Sequence, residues 1–301
     1  MIQKNFTVKK AQEYALQNIA DISKLAKWNY EHNIFSLRIS SDIFPHFTNP
    51  EVESYDMTFA MDALKEAGEN LKKYHQRATF HPGQYNQVGA ESEDVFQKTI
   101  KDLKMHADML DAMNVGQDGI LCVHGGGVYG DKKKTIKRWI ENYKRLPENV
   151  QRRLCIENCE RCYSVNDCLE IAESCNIPLI FDSHHFDCFN LLNEKNEKEE
   201  KKEEKKKKKE AKEQKINVED VLDRVVETWR KRGITPLFHI SEQRPDARVG
   251  AHSDLIENIP EYMLTFVEKY KLSLTIEVEA KLKEQAILHL YERYPFLNKG
   301  L

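Results

Sequence analysis

Short segments rich in β-branched and aromatic residues alternate with longer amphipathic stretches along most of this 301-residue chain. Such repeated strand–helix alternation predicts an α/β fold with a parallel sheet, either a TIM-type (β/α) barrel or a doubly wound sheet. Amphipathic stretches such as residues 94–113 and 218–232 fit the helices between the strands. The seven predicted strands are residues 35–39, 78–80, 120–123, 154–156, 178–181, 237–240 and 272–276.

A closed TIM barrel needs eight strands, and a chain of this length fits one barrel domain over residues 1–301. The strand that is missing from the pattern would precede the first helix, which is predicted to start near Val8. We therefore expect a TIM-type barrel that lacks its first strand, either because the chain is truncated or because the barrel is open at that position.

Residues 194–215 are a low-complexity insertion within this domain. They contain eleven lysines, eight glutamates and a single apolar residue, Ala211. The net charge of −3 therefore combines +3 in the insertion with −6 in the rest of the chain. Because the insertion cannot bury a core, we expect it to be disordered or a lone charged helix.

The composition also bears on location and partners. No apolar run reaches the roughly 18 residues that span a bilayer, and the first residues do not resemble a signal peptide. Seven cysteines, an odd number in apolar or mixed segments, indicate reduced thiols in an intracellular protein, in the cytoplasm or the nucleus. Two basic runs, at residues 132–138 and 230–232, are candidates for phosphate contacts, although such runs are usually solvated helix faces.

Potential metal ligands follow the predicted strands almost at once. Because active sites of TIM-type barrels lie at the carboxyl ends of the strands, these side chains are expected to converge. Mixed imidazole and carboxylate ligands suit Zn²⁺, Mn²⁺ or Fe²⁺. The residues at such positions are His46, His81, His124, Glu157, Asp182, His185, His252, Glu277 and Glu279, and the sixth strand carries His239 near its end.

Two features of this pattern indicate a pair of metal ions. Asp182 and His185 are three residues apart just beyond a strand, close enough to bind neighbouring ions. Glu157 is central in the pattern and has two carboxylate oxygens, so it could bridge two ions. Two ions about 4 Å apart can activate a water and stabilise the leaving oxygen of a phosphodiester.

Two other motifs offer competing interpretations. Cys155, Cys159 and Cys162 include a C-x-x-C, but the second cysteine or histidine pair of a structural zinc site is absent at matching spacing. The glycine run 125–127 lacks the Lys-Ser/Thr of a P-loop, so a tight turn beside His124 is the better interpretation.

In this order, the strand-end motifs resemble those of the UV damage endonuclease family, from about Ala15 to Glu284 and interrupted by the insertion. The resemblance implies a TIM barrel related in architecture to endonuclease IV. It also implies hydrolysis of the phosphodiester immediately 5′ to a lesion in UV-damaged double-stranded DNA by a monomer with two to three divalent ions, commonly manganese, with zinc or magnesium as alternatives. The motifs are RISSDIFPH, HPGQYNQVGA, HGGGVYGDK, LCIEN, FDSHH, HISEQRPDARVGAHSD and EVEAK.

The resemblance also assigns residues. Glu157, His239 and Glu279 take the catalytic role, and Gln84 and Tyr85 match the pair that the family wedges into the duplex opposite a lesion. An aromatic ring can stack where damaged bases leave, and a carboxamide can bond to the orphaned partners. The metal ligands carried over by motif are His81, His124, Glu157, Asp182, His185, His239, His252 and Glu279, with His46 near the cluster.

The chain departs from the family pattern in three places. The family's first strand and its contribution to the lesion wedge have no counterpart, and Leu237 stands where some members carry a modified lysine. In EVEAK, Glu277 competes with Glu279 as the ligand. The alternatives that remain are an abasic-site endonuclease like endonuclease IV, a sugar isomerase of the same barrel type, and a barrel that binds damaged DNA without cutting it.

Overall fold

Short parallel strands alternate with helices along the chain, and the computed structural model describes residues 3–203 and 216–299. Within these residues the sheet order is β1-β2-β3-β4-β5-β6-β7, which is the chain order expected of a TIM-type (β/α) fold. The strands are β1 (Ser36–Ile39), β2 (Arg77–Phe80), β3 (Ile120–His124), β4 (Leu154–Glu157), β5 (Leu179–Asp182), β6 (Leu237–Ile240) and β7 (Thr275–Val278).

The helices between the strands are mostly long and amphipathic. Short 3₁₀ turns occupy Gln3–Asn5, Thr58–Ala60 and Pro295–Leu297. The α-helices of the described residues are α1 (Val8–Glu31), α2 (Met61–Lys73), α3 (Glu93–Ala112), α4 (Lys132–Tyr143), α5 (Glu148–Gln151), α6 (Val165–Cys175), α7 (Ser183–Glu203), α8 (Val218–Arg232), α9 (Glu261–Leu264), α10 (Phe266–Tyr270) and α11 (Glu284–Arg293).

The fold class is the predicted one, and six of the seven strands lie where the hydrophobic pattern places them. From residue 3 onwards no strand precedes α1, so the described chain has seven strands where a closed TIM barrel has eight. The seventh predicted strand, 272–276, is displaced. Lys271 has a left-handed backbone (φ 56°) that ends α10, and the ladder begins only where the amide of Thr275 donates to the carbonyl of Pro236.

Several helix ends follow directly from local sequence chemistry. Ser164 and Asp167 form a reciprocal capping box at the start of α6. Asn217 caps α8, whose far end is Gly233 in a left-handed conformation (φ 70°). These signals explain why the predicted limits of the α8 pattern, residues 218–232, agree with the structure.

Within the described residues the chain divides into two compact units, residues 3–155 with Lys299, and residues 156–298. In the first unit, buried Arg153 donates to the carbonyls of Val115, Gly116 and Gly119 and pairs with Asp111 at 2.8 Å. This guanidinium therefore ties the loop before β3 to α3. The single-domain assignment for residues 1–301 stays a prediction.

The core of the second unit is aromatic. The ring of Phe238 lies 5.7 Å from that of Phe181 and 5.5 Å from that of Phe266, and all three side chains are fully buried. Trp229 of α8 donates its indole N–H to the carbonyl of Leu179 at 2.7 Å. These contacts fix β5 and β6, whose ends carry candidate ligands.

The lysine–glutamate insertion is described only in part. Residues 194–203 continue α7, and residues 204–215 lie outside the described residues. The side chain of Asn190 donates to the carbonyl of Ile216 at 3.1 Å and accepts from its amide at 3.2 Å. The point where the chain leaves the core and the point where it returns are therefore joined by one side chain.

Two further findings bear on expectations from composition. Among the described helices, none has the length and apolar character needed to cross a bilayer. No disulfide joins any of the seven cysteines, all of which lie in the described residues. The redox environment and the compartment stay predictions.

Candidate metal centre

The strand ends of the second unit bring acidic and imidazole side chains together, as the sequence predicts. Glu157 and Asp182 are the last residues of β4 and β5, and both are fully buried. His239 in β6 is in register with Asp182 on one side and with Glu277 of β7 on the other. Parallel pairing in this register aligns residues from neighbouring strands, so their side chains share one end of the sheet.

His239 is the centre of this cluster. Its Nδ1 lies 3.1 Å from Oε1 of Glu157 and 3.5 Å from Oε1 of Glu279. Its Nε2 lies 3.4 Å from Oε2 of Glu277. The imidazole, which is 1% exposed, therefore has carboxylates on both of its nitrogens.

Asp182 and His185 lie at the junction of β5 and α7. Oδ1 of Asp182 accepts a hydrogen bond from the amide of His185 at 2.6 Å. Oδ2 of Asp182 is buried without a hydrogen-bond partner in the described residues, 3.7 Å from Nδ1 of His185 and 3.9 Å from Nδ1 of His239. A buried carboxylate oxygen in this state is costly unless a cation or proton compensates it.

Asn158 holds the ends of β4 and β5 in register, a role that we did not predict from the sequence. Its side chain donates to the carbonyl of Asp182 and accepts from the amide of Asp182, both at 3.0 Å. Its main-chain carbonyl lies 3.0 Å from Nδ1 of His185. The EN pair of LCIEN therefore combines a candidate ligand, Glu157, with the residue that orients its neighbours.

Carboxylates outnumber imidazoles in this cluster, and the pKa values of its members reflect the excess of negative charge. Burial raises the pKa of Asp182 to about 6. Burial alone would lower the pKa of His185, but Asp182 and Glu157 outweigh it and raise that pKa to about 11. Burial likewise opposes protonation of His239, yet Glu157 and Glu279 hold its pKa well above the usual value. The buried carboxylates therefore favour positive charge among them, whether a proton or a cation supplies it.

These residues fit a divalent cation. Glu157, Asp182 and His239 each offer a ligand atom within 4.8 Å of the others, and all three are buried. Carboxylate oxygen with imidazole nitrogen is the donor set of manganese, zinc and iron sites. A cation would also compensate Oδ2 of Asp182. The donor chemistry therefore agrees with the metal centre that the sequence predicts, without selecting one metal.

His252 lies at the rim of the same cluster. Its Nδ1 is 3.8 Å from Oε2 of Glu279, and its ring is 6.2 Å from that of His185. The loop that carries it is closed by a bridge between His252 and Gln243. Its neighbour His184, which we did not single out, is buried with a pKa that burial and the nearby His252 and His185 lower to about 4.

The candidate ligands of the first unit are His81 and His124, which follow β2 and end β3. Their rings lie 5.0 Å apart at an angle of 52°. His46 has a left-handed backbone (φ 58°), packs edge-on against Phe6 and lies 3.4 Å from the side-chain amide of Asn49. His46 lines a polar cavity of about 580 Å³ that also includes Tyr85.

The HPGQYNQ segment exposes the two residues assigned to lesion recognition. The side chains of Gln84 and Tyr85 face solvent, and Tyr85 is 65% exposed. Gln87 joins this segment to the glycine-rich loop, because its carboxamide donates to the carbonyl of Gln84 and accepts from the amide of Gly127, both at 2.7 Å. A Cβ on Gly126 (φ 89°) would meet Gln87 at 2.4 Å, which explains the glycine in this turn.

The cysteines and the basic runs have largely structural contacts. Sγ of Cys159 accepts the amides of Cys162 and Tyr163 at 3.2 and 3.1 Å, which closes a turn after β4. Arg138 donates to the carbonyl of Gly89 at 2.8 Å, and Arg230 donates to that of Tyr270 at 3.0 Å. These two arginines therefore stabilise the fold, which leaves the exposed Lys133, Lys134 and Lys137 as the cations of the first run that face solvent.

Comparison with known proteins places this arrangement in a family. The model of the UV-endonuclease UvdE family matches residues 2–299. The chain belongs to this family. Membership makes it a DNA endonuclease, in agreement with the resemblance of its strand-end motifs.

Individual relatives support the same membership. A protein of Acanthamoeba polyphaga mimivirus described as a UV-damage endonuclease is 34% identical, over 94% of this chain and 80% of its own length. The UV DNA damage endonuclease of Clostridium perfringens is 31% identical, over 100% of this chain and 68% of its own. The chain spans only 45% of the UV-damage endonuclease of Schizosaccharomyces pombe, at 33% identity.

A solved structure shares the fold over the whole chain. The crystal structure of SacUVDE superposes with a TM-score of 0.82 at 28% sequence identity, covering 99% of this chain and 93% of that one. The (β/α) arrangement described above is therefore that of an experimentally determined UvdE-type protein.

Proposed function

We propose that this chain is a divalent metal-dependent DNA repair endonuclease that cuts the phosphodiester immediately 5′ to UV photoproducts in double-stranded DNA. The observation that carries the proposal is the buried cluster around His239, in which four carboxylates and three imidazoles meet at the strand ends of a UvdE-family fold. The names of the relatives supply the substrate class, UV-damaged DNA.

The ligands that we assign in the second unit are Glu157, Asp182, His185, His239, His252 and Glu279. In the first unit we assign His81 and His124, with His46 beside them. Two to three ions, manganese by preference, would suit this number of imidazoles and carboxylates. When bound, such ions polarise a phosphodiester and lower the pKa of water.

The chain's own residues would supply the conditions for that chemistry. Glu157, His239 and Glu279 are the catalytic residues, because they lie at the centre of the cluster and both glutamates approach the same nitrogen of His239. Burial of Glu157 and His239 keeps bulk water away from the carboxylates, which strengthens their interaction with a cation. Asn158 keeps Asp182 and His185 oriented.

The experiment is cleavage of a defined duplex that contains one cyclobutane pyrimidine dimer and a label at either end of the damaged strand. With Mn²⁺ we expect a single nick directly 5′ to the dimer, with a 3′-hydroxyl that a polymerase extends. Parallel duplexes with an abasic site or no lesion separate this function from a general abasic-site endonuclease. Cleavage of the abasic duplex alone, or lesion binding with no Mn²⁺-dependent nick, would contradict the proposal.

A further inference from the structure

Asp102 is a buried carboxylate in the middle of α3 that collects hydrogen bonds from two different loops. It is 2% exposed. Its Oδ1 accepts from the hydroxyls of Thr48 and Tyr85, both at 3.2 Å, and its Oδ2 accepts from the side-chain amide of Asn86 at 2.8 Å. Thr48 belongs to the loop after β1, whereas Tyr85 and Asn86 belong to the HPGQYNQ loop after β2.

Hydrogen bonds from Thr48, Tyr85 and Asn86 are the main interactions that offset the cost of burying the Asp102 carboxylate. The imidazole of His106, one turn along α3, is fully buried, and burial lowers its pKa. Nδ1 of His106 lies 2.8 Å from the main-chain carbonyl of Asp102 and 3.6 Å from its Oδ2. A carboxylate buried next to a neutral ring depends on hydrogen-bond donors, so the two loops and Asp102 stabilise one another.

Tyr85 is held in an unusual way for an exposed aromatic residue. Tyr85 as a whole is 65% exposed, although its hydroxyl reaches the buried Asp102. The ring also covers Gly83, where a Cβ would lie 2.4 Å from Cε1 of Tyr85. The hydroxyl end is therefore fixed in the protein while much of the ring surface remains open to solvent.

We infer that Asp102 is a positioning residue that presents the ring of Tyr85 as a preorganised stacking surface for a nucleobase. This inference rests on the proposed function. A base or a damaged base step would stack on the solvent-facing side of the ring while the hydroxyl stays on Asp102. Because the ring is already fixed, binding does not lose the conformational freedom of a mobile tyrosine.

The contact between Tyr85 and Asp102 distinguishes two ways in which the ring could bind DNA, which the family resemblance does not separate. If the ring had to leave Asp102 to enter the duplex, the hydroxyl contact would oppose binding, and its removal would strengthen binding. If the ring acts where it lies, the same contact favours binding, and its removal weakens it. The hydroxyl of Tyr85 can be deleted without loss of the ring, so the two cases predict opposite signs for Tyr85→Phe.

The test measures dissociation constants of dimer-bearing and intact duplexes, without cleavage in Ca²⁺ buffer, for wild type, Asp102→Asn, Tyr85→Phe and the double variant. We expect each single variant to lose about three- to tenfold in affinity for the damaged duplex, with little change for the intact one. The double variant should be no weaker than Asp102→Asn alone, because both substitutions act on the same contact between the Tyr85 hydroxyl and the Asp102 carboxylate. Asp94→Asn, at an exposed position of α3, is the matched control and should behave as wild type.

Melting temperature and bound metal are measured on every variant, so that an unfolded loop is not mistaken for lost positioning. Tyr85→Phe with wild-type or tighter binding to the damaged duplex would overturn the inference, as would additive losses in the double variant. Tyr85→Ala separates this failure from failure of the proposed function. If Tyr85→Ala also binds both duplexes as wild type does, the assignment of Tyr85 to lesion recognition is wrong.

Discussion

Oε2 of Glu277 lies 3.4 Å from Nε2 of His239, on the nitrogen opposite to the one that faces Glu157 and Glu279. A metal-binding histidine usually gives its second nitrogen to a carboxylate, which fixes the tautomer and the orientation of the ring. Glu277 therefore has the geometry of the orienting group, and Glu279, which also approaches His252, has that of the ligand.

This relationship separates two glutamates that the sequence motif EVEAK does not distinguish. Glu279→Gln should lose an ion, measured as metal content after reconstitution with Mn²⁺ and dialysis. Glu277→Gln should keep the stoichiometry but bind Mn²⁺ about 10- to 100-fold more weakly, since losses of this size follow changes to groups that orient ligands. Loss of an ion from Glu277→Gln, with full occupancy in Glu279→Gln, would reverse the assignment.

The ion pair between Asp111 and Arg153 predicts a pH-dependent stability. Burial alone would raise the pKa of Asp111, but hydrogen bonds from Arg153, Asn149 and Arg152 outweigh it and lower that pKa below 3.8. The stabilisation is therefore complete above pH 3.8 and lost as the pH falls through the lower value of the folded state. Asp111→Asn should cost about 1–3 kcal/mol at pH 7, because Arg153 is left buried without its partner.

Urea unfolding of wild type and Asp111→Asn between pH 3 and pH 7 measures this effect. The difference in the free energy of unfolding should shrink towards the acid end of the range. The control Asp94→Asn removes an exposed pair with Lys98 on the same helix and should change stability by less than about 0.5 kcal/mol. A difference for Asp111→Asn that is independent of pH would show that lost packing, not charge, causes it.

The lysine–glutamate insertion should be dispensable for the fold. Asn190 joins the two ends of this excursion by bonding to both main-chain groups of Ile216. Replacement of residues 194–215 by a short glycine–serine linker should therefore change the melting temperature by less than about 2 °C, which corresponds to under 1 kcal/mol. Asn190→Ala in the full chain should lower it more than the replacement does.

The same replacement variant tests a role of the insertion in DNA binding. Its eleven lysines would release counterions from phosphates, so their loss should weaken binding to intact DNA and flatten its dependence on salt. A drop of the melting temperature well beyond 2 °C would show that the segment packs, and an unchanged salt slope would exclude a DNA-tethering role.

The sequence predicts the strand ends better than it predicts the contacts made there. Glu157 and Asp182 stand out in the sequence because a strand that is buried on both faces ends at a polar ligand, and His239 stands out because it lies near the end of such a strand. Asn158 and Asp102 were not found, because nothing in the one-dimensional pattern marks them. Asp102 occupies a helix that also carries the exposed Asp94, and only the packing of two loops onto α3 distinguishes the two aspartates.

The start of strand β7 also depends on tertiary contacts that the local sequence does not show. Leu272 and Leu274 match a strand pattern locally, yet the ladder begins at Thr275 because the partner strand starts to offer carbonyls only at Pro236. The register between strands, which decides that His239 faces both Asp182 and Glu277, is a tertiary property of the same kind.

The central claim is that the cluster around His239 holds the catalytic metal, and Glu157→Gln tests it most directly. The substitution keeps the shape of a fully buried side chain but removes the charge between His185 and His239. The rate of Mn²⁺-dependent nicking of irradiated supercoiled plasmid is compared with that of wild type and of the exposed control Glu173→Gln. We predict a loss of more than about a hundredfold for Glu157→Gln, by analogy with weakened metal centres, and a wild-type rate for Glu173→Gln. Nicking by Glu157→Gln at a rate near that of wild type would contradict the account.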